Sequence, residues 1–142
     1  MFKFLSHLFL ISFLLNFVWE ISQMGFYSTL GMGGVSDYGN FLRIHWQVSL
    51  KDALMVVLAY LMISLILRNW RWVLTWNSGW LILLLSLPAW QVIIEYYSVY
   101  VLGRWGYDRA MPLLFGIGAV PLLQMLVLPG AAVLLSRHLL KE

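Results

Sequence analysis

The chain has 142 residues, of which 62% are hydrophobic and 11% charged, with a formal net charge of +3 and no cysteine. Soluble domains average about half apolar and about a quarter charged residues, so this composition excludes a soluble globular protein and makes the lipid bilayer the expected partner. Without thiols there are no disulfides, thiolate metal sites or cysteine nucleophiles, and the nine basic residues form no tract that would bind nucleic acid.

The length suits one transmembrane domain over residues 1–142. Its first apolar segment covers about 4–27. Lys3 followed by Phe4 to Phe17 has the charge and apolar run of a signal peptide, but Trp19-Glu20-Ile21-Ser22-Gln23-Met24 offers no small-x-small cleavage site, so the segment reads as a retained helix. Asn16, Glu20, Gln23 and Tyr27 fall within about 60° of one helix face.

A longer connection, 28–50, begins glycine-rich (Gly31, Gly33, Gly34, Gly39). Its end, Phe41 to Trp46, is expected to lie along the membrane surface. The second helix is expected over about 51–67, with Asp52 at its start as a charge complementing the helix dipole. Arg68-Asn69-Trp70-Arg71-Trp72 forms a basic, aromatic turn. The third helix covers about 76–102, with Gln91, Glu95 and Ser98 on one face and a kink at Pro88. A short turn, 103–110, carries Arg104, Trp105, Tyr107, Asp108 and Arg109. The fourth helix is expected over about 112–136. Pro112 would occupy its first turn, Pro121 would kink its middle and free a carbonyl near Ile117, and the facing of Gln124 is left open.

Each segment approaches the roughly 20 residues that cross a bilayer, and in lipid the backbone must satisfy itself internally, which calls for helices. Strand-type alternation is absent. The fold expected is an all-α integral membrane protein, an up-down-up-down bundle of four transmembrane helices. With the N-terminus inside, Lys3, Arg68, Arg71, Arg137 and Lys141 face Arg43, Lys51, Arg104 and Arg109 outside, which favours both termini in the cytoplasm. Trp19, Trp46, Trp70, Trp72, Trp76 and Trp105 read as an interfacial aromatic belt.

An ionisable side chain within a span is costly unless paired, hydrated or neutralised, and marks a functional site by default. Glu20 lies about 24 Å along its helix from Phe4, and Glu95 about 22 Å from Trp80, at about 1.5 Å per residue. Both should reach one depth in the outer half of the bundle. They are the candidate catalytic residues. Asn16, Trp19, Gln23, His45, Asp52, Gln91, Tyr107, Asp108 and Gln124 are the candidate ligand-binding residues.

Neighbouring buried carboxyls suit three roles: proton exchange at a buried double bond or ether, proton carriage coupled to transport, or a cation site. With His45 the one nearby histidine and no Glu-x-x-His spacing, no metal is expected. No cofactor is expected either. Serine catalysis lacks a Gly-x-Ser-x-Gly motif, and His7 and His138 fall at the opposite membrane side. A structural alternative is that the acids only glue helices together through hydrogen bonds. The reading favoured is a cavity that binds a lipid-like or isoprenoid molecule and acts on it by acid/base chemistry. The alternatives are a small subunit or assembly factor of a membrane complex, or a proton-coupled carrier working as a homo-oligomer.

Four runs carry a resemblance: Asn16-Phe17-Val18-Trp19-Glu20-Ile21-Ser22-Gln23; His45-Trp46 with Asp52-Ala53; Gly103-Arg104-Trp105-Gly106-Tyr107 with Met111-Pro112; and Pro121-Leu122-Leu123-Gln124. Together they resemble a family of small bacterial four-helix inner-membrane proteins with no established activity, and imply that location and architecture. A second likeness, of architecture and buried acids alone, is to the four-helix sterol-isomerase and sigma-2-receptor-like group. That group places acids in a membrane cavity for sterol-like ligands, and no residue roles transfer from it.

Overall fold

The computed structural model describes residues 1–28 and 38–141. Four helices carry the fold. Helix α1 is Phe2–Gln23, extended by a 3-10 turn Met24–Phe26. Helix α2 is Tyr38–Ile66. Helix α3 is Ser78–Tyr96 and runs on as a π-helical turn, Tyr97–Val101. Helix α4 is Ala119–Ser136, followed by a 3-10 turn Arg137–Leu140. With these turns included where they continue the helix, the four spans contain 25, 29, 24 and 22 residues and are long and apolar enough to cross a membrane. The shortest covers about 33 Å at about 1.5 Å per residue, against about 30 Å of hydrocarbon.

The helices close a ring in which α1 packs on α2 and α4, and α3 packs on α4 and α2. Helices α1 and α3 are therefore diagonal neighbours. Phe4 meets Tyr60 near one end of the α1–α2 pair, while Glu20 meets His45 near the other. His7 bonds Ser136 across α1 and α4, and Gln23 bonds Gln124.

Polarity is inverted relative to a soluble bundle. Val18, Leu58, Met62, Leu65, Leu81, Leu85 and Leu135 point outward, whereas Asn16, Glu20, Gln23, Asp52, Gln91, Glu95 and Gln124 are buried. A contiguous apolar exterior needs a covering, and a bilayer supplies one.

The interior has two halves. One is apolar and aromatic, built from Phe4, Leu8, Val56, Tyr60, Trp72, Trp80, Leu83 and Val133. Tyr60 donates a hydrogen bond to the Trp70 carbonyl, and Trp72 Nε1 donates to Ser64 Oγ at 3.1 Å. Asn77 caps α3, accepting from the Gly79 N–H at 2.8 Å, and its Nδ2 donates to the Trp72 carbonyl at 2.7 Å. The other half is the polar cluster described below.

Several expectations require correction. Helix α2 starts at Tyr38, not near 51, so Phe41 to Trp46 forms its first turns and does not lie along the surface. No proline interrupts this stretch, and Phe41, His45, Ser49, Asp52 and Val56 keep one buried helical face. Asp52 is therefore mid-helix and buried, not a dipole-complementing residue at a helix start. Of the glycine-rich run, Gly31, Gly33 and Gly34 lie outside the described residues, and Gly39 sits in the first turn of α2.

Helix α3 starts at Ser78 and is regular to Tyr96, inside the expected 76–102, with Pro88 in its interior. Helix α4 begins at Ala119, not 112, because a small antiparallel hairpin precedes it. Strand β1, Leu113–Leu114, pairs with β2, Ile117–Gly118. The linking residues Phe115 and Gly116 have φ of 51° and 84°, the sign pattern of a type I′ turn. Pro112 thus lies outside the helix. Pro121 falls in the first turn of α4, where its missing N–H breaks no ladder bond, and Pro129 is the interior proline. Trp72 is fully buried against Tyr60 and Trp80 and leaves the aromatic belt, while Trp46, Trp70 and Trp76 are exposed.

Candidate functional site

The N-terminal helix supplies the first part of the site. Its buried face contains Ser12, Asn16, Glu20 and Gln23, at helical steps of three and four residues. Asn16 Nδ2 donates to the Ser12 carbonyl at 2.8 Å, which turns Asn16 Oδ1 toward the bundle axis. There it accepts from Gln124 Nε2 of α4 at 2.8 Å. The same nitrogen lies 3.1 Å from Glu20 Oε1 and 3.2 Å from Asp52 Oδ2. An amide nitrogen carries two hydrogens, so three acceptors from α1 and α2 compete for two donors on α4.

Gln23 completes this network. Its Nε2 donates to Glu20 Oε1 at 2.9 Å and to Gln124 Oε1 at 3.1 Å. Its own Oε1 accepts from Trp19 Nε1 at 3.1 Å. The indole can only donate and the Ser12 carbonyl can only accept. These two ends fix the direction of every amide between them.

Glu95 of α3 forms a separate centre. Its Oε1 accepts from Tyr27 Oη at 3.3 Å and from Gln91 Nε2 at 3.2 Å. Its Oε2 accepts from Tyr107 Oη at 2.7 Å and from Trp105 Nε1 at 3.3 Å. Four donors occupy the acceptor positions of one carboxylate. They come from three places because the chain folds its loops together: the Ser28 N–H donates to the Gly106 carbonyl at 3.0 Å, and the Asp108 N–H to the Phe26 carbonyl at 2.9 Å. Burial pushes the Tyr27 phenol well above its ordinary value, and the Glu95 and Glu20 carboxyls add to the effect. Burial also raises Tyr107, with Glu95 adding and a backbone hydrogen bond at Gly118 opposing. Both phenols consequently remain donors at neutral pH.

The two centres share a cavity of about 310 Å³. Glu20, Asp52, Gln91 and Glu95 line it, together with Tyr27, Ser98, Trp105, Lys51, Arg104 and the apolar Val48, Met55 and Ile94. Carboxyls on diagonally opposed helices thus meet one space. A larger groove of about 620 Å³ lies between the end of α3 and the hairpin, lined by Tyr96, Tyr97, Tyr100, Phe115 and aliphatic residues, with no carboxyl in its wall.

The structure brings most of the predicted residues together. Asn16, Glu20, Gln23, Asp52 and Gln124 form the first centre, and Gln91, Glu95 and Tyr107 the second. The facing of Gln124 is now settled, since it is 1% exposed and reaches three other helix-borne acceptors. Trp19 sits at the edge, half-buried, and acts through Gln23. His45 belongs to α2, not to a loop, and its Nδ1 lies 3.7 Å from Glu20 Oε2. Asp108 stands apart: it is exposed, and its Oδ1 accepts from the Ala110 N–H at 3.0 Å as a turn residue.

Sequence reasoning missed Tyr27 and Trp105 as donors to Glu95, and Lys51 and Arg104 in the cavity wall. Tyr27 carried a signal, being one turn beyond Gln23 on the same stripe. Trp105 carried one in standing two residues before Tyr107 in the same short loop.

Among the described residues, no group of three or more His, Asp or Glu side chains is arranged to hold a metal ion. Compared with protein families, curated proteins and solved structures, the chain matches none of them.

Proposed function

We propose that this is a multi-pass protein of the bacterial inner membrane whose cavity binds a lipid-like or isoprenoid molecule and exchanges protons with it through Glu20 and Glu95. The observation that carries this reading is the shared cavity: two carboxyls on diagonal helices open on one space with apolar walls at Val48, Met55 and Ile94. Binding sites of this kind are mostly apolar with a few converging polar groups. Glu95 is held by four donors, which favours its carboxylate form and suits a fixed polar anchor that gives up a donor when a ligand proton is taken. Glu20 has one oxygen tied to amides and the other turned toward His45, which leaves it freer to donate.

The pairings of Phe4 with Tyr60, Glu20 with His45 and His7 with Ser136 support an up-down-up-down order of the spans. In that order both termini lie on one side, which the basic residues Lys3, Arg68, Arg71, Arg137 and Lys141 favour as the cytoplasmic one, with the cavity toward the outer face.

The test is lipid retention and turnover. Protein purified in native lipid is extracted, and bound isoprenoid and neutral lipids are identified by mass spectrometry. Glu20→Gln and Glu95→Gln, checked for folding, should each lose the retained species or its conversion. Unchanged retention and conversion in both variants would refute the reading. Reporter fusions at each end test the cytoplasmic placement of the termini.

A further inference from the structure

His45 is 2% exposed, and among the described residues neither ring nitrogen has a hydrogen-bond partner. An unpaired polar group this deeply buried requires a physical reason. Its Nδ1 lies 3.7 Å from Glu20 Oε2, while Glu20 Oε1 is occupied by the amides of Gln23 and Gln124 at 2.9 and 3.1 Å. The two groups with spare capacity therefore face each other. Glu20 lines the cavity and His45 does not.

The remaining surroundings are specific. The Phe41 ring packs on the imidazole with centroids 4.5 Å apart. From α1 the titratable group facing it is Glu20. On α2 the next are Lys51 and Asp52, with Asp52 bonded to the neutral amide of Gln124 from α4. Glu95 lies on α3, in the wall of the same cavity as Glu20.

We propose that Glu20 and His45 form a proton-sharing pair, with His45 as the inner partner and Glu20 presenting the shared proton to the cavity. One proton between them makes a net-neutral unit in either of two forms. In the first, the Oε2–H bond is intact and the Nδ1 lone pair accepts from it. In the second, that O–H bond has broken, an Nδ1–H bond has formed, and the imidazolium donates to the carboxylate. The transfer moves one proton and needs no other reactant. Burial favours both forms over a lone carboxylate or a lone imidazolium. A separation of 3.7 Å exceeds a hydrogen bond by about 0.5–1 Å, a gap that the two side chains close to share the proton. The pair gives the orphaned Nδ1 its partner, while Nε2 stays without one among the described residues. The proposal goes beyond the cavity reading and needs no ligand.

Ring-nitrogen NMR of the full chain, labelled with ¹⁵N-histidine in nanodiscs, tests it without a ligand. The chain has three histidines, and the His45 signals are those lost in His45→Gln. At neutral pH the His45 Nδ1 signal should shift clearly in Glu20→Gln and hold its position in Asp52→Asn. A histidine that merely fills space would give the same Nδ1 signal in wild type and Glu20→Gln, and that result overturns the proposal. An equal shift in Asp52→Asn also overturns it. If Glu20→Gln does not fold, infrared spectroscopy gives an independent answer. The Glu20 carboxyl band, assigned through Glu20→Asp, should move in His45→Phe, and an unmoved band overturns the pairing. Loss of lipid retention in the cavity assay leaves these signals readable, so the two ideas fail separately.

Discussion

Replacing Gln124 with leucine tests whether one amide holds three helices together. The substitution keeps the bulk and removes both ends of the amide. Asn16 Oδ1 and Asp52 Oδ2 then lose their donor from α4, Glu20 Oε1 keeps Gln23, and Gln23 Nε2 loses one of two acceptors. Two buried acceptors are left without a donor among the described residues. An unmade buried hydrogen bond costs about 1–3 kcal/mol in water-soluble proteins, but interhelical bonds in membranes average about 0.6 kcal/mol because the dispersed helices find other partners. Two orphans therefore set a range from about 1 to about 6 kcal/mol. Reversible unfolding in detergent or bicelles should show Gln124→Leu destabilised within that range. Leu123→Ala, on the outward face, should cost less. A double change to Gln124→Leu with Asn16→Leu should cost less than the sum of the single changes, since the second removes a group the first stranded. A Gln124→Leu protein as stable as wild type, or a strictly additive pair, would refute the hub.

The other predictions concern separate regions. Gly79→Ala places a methyl 2.5 Å from Trp72 Cε3 and 2.9 Å from Leu67 Cδ1. Neither a buried indole nor a packed leucine yields easily, so a loss of about 1–3 kcal/mol is expected, read from the same unfolding assay. Asn77→Ala removes the α3 cap and the bond to the Trp72 carbonyl, and should cost about 1 kcal/mol. Tyr27 and Tyr107 have folded-state values above the ordinary phenol. The unfolded chain thus releases those protons first as pH rises. Their stabilising contribution is complete below about pH 10 and is lost above it. Stability against pH should fall beyond that point, and the fall should be shallower in the double variant Tyr27→Phe with Tyr107→Phe. An unchanged slope would count against the burial of both phenols.

The helical class was legible because the bilayer leaves few alternatives: Phe4 to Phe17 and the later apolar runs are too long and too uniform for anything else. The site was legible where its residues share a helix, since Asn16, Glu20 and Gln23, or Gln91 and Glu95, keep their spacing whatever the tertiary arrangement. Boundaries failed where composition misleads. The polar residues Arg43, His45, Gln47 and Ser49 made the start of α2 look like a loop, although His45 and Ser49 recur at helical steps with Phe41 and Asp52 on the buried side while Arg43 and Gln47 face outward. The hairpin before α4 escaped notice because Leu113, Leu114 and Ile117 are as apolar as a span, and only Phe115-Gly116 marks the turn. The convergence of Tyr27, Trp105 and Tyr107 on Glu95 depends on two loops pairing, through Tyr27 and Tyr107, a long-range event no local spacing encodes.

The division of the interior explains how such a cluster can be carried at all. Three carboxyls inside a small bundle work against stability, because removing a charge from water is repaid only by complete pairing. The opposite half compensates. There Trp72, Tyr60, Leu8, Leu83 and Val133 are buried almost completely, with the Trp72 indole and Tyr60 hydroxyl both satisfied. Loosening that half by Gly79→Ala should lower the stability of the whole bundle without moving the hydrogen bonds around Glu20 and Glu95. Neutralising the carboxyls themselves, by Glu20→Gln or Glu95→Gln, should do the reverse, altering the cavity's chemistry more than the unfolding free energy. Such a separation is what a protein needs if its acids are kept for chemistry, and a bundle held together by its acids would not show it. If Glu20→Gln or Glu95→Gln unfolds the protein more severely than Gly79→Ala, the buried carboxyls are the glue, and the case for a working cavity loses its footing.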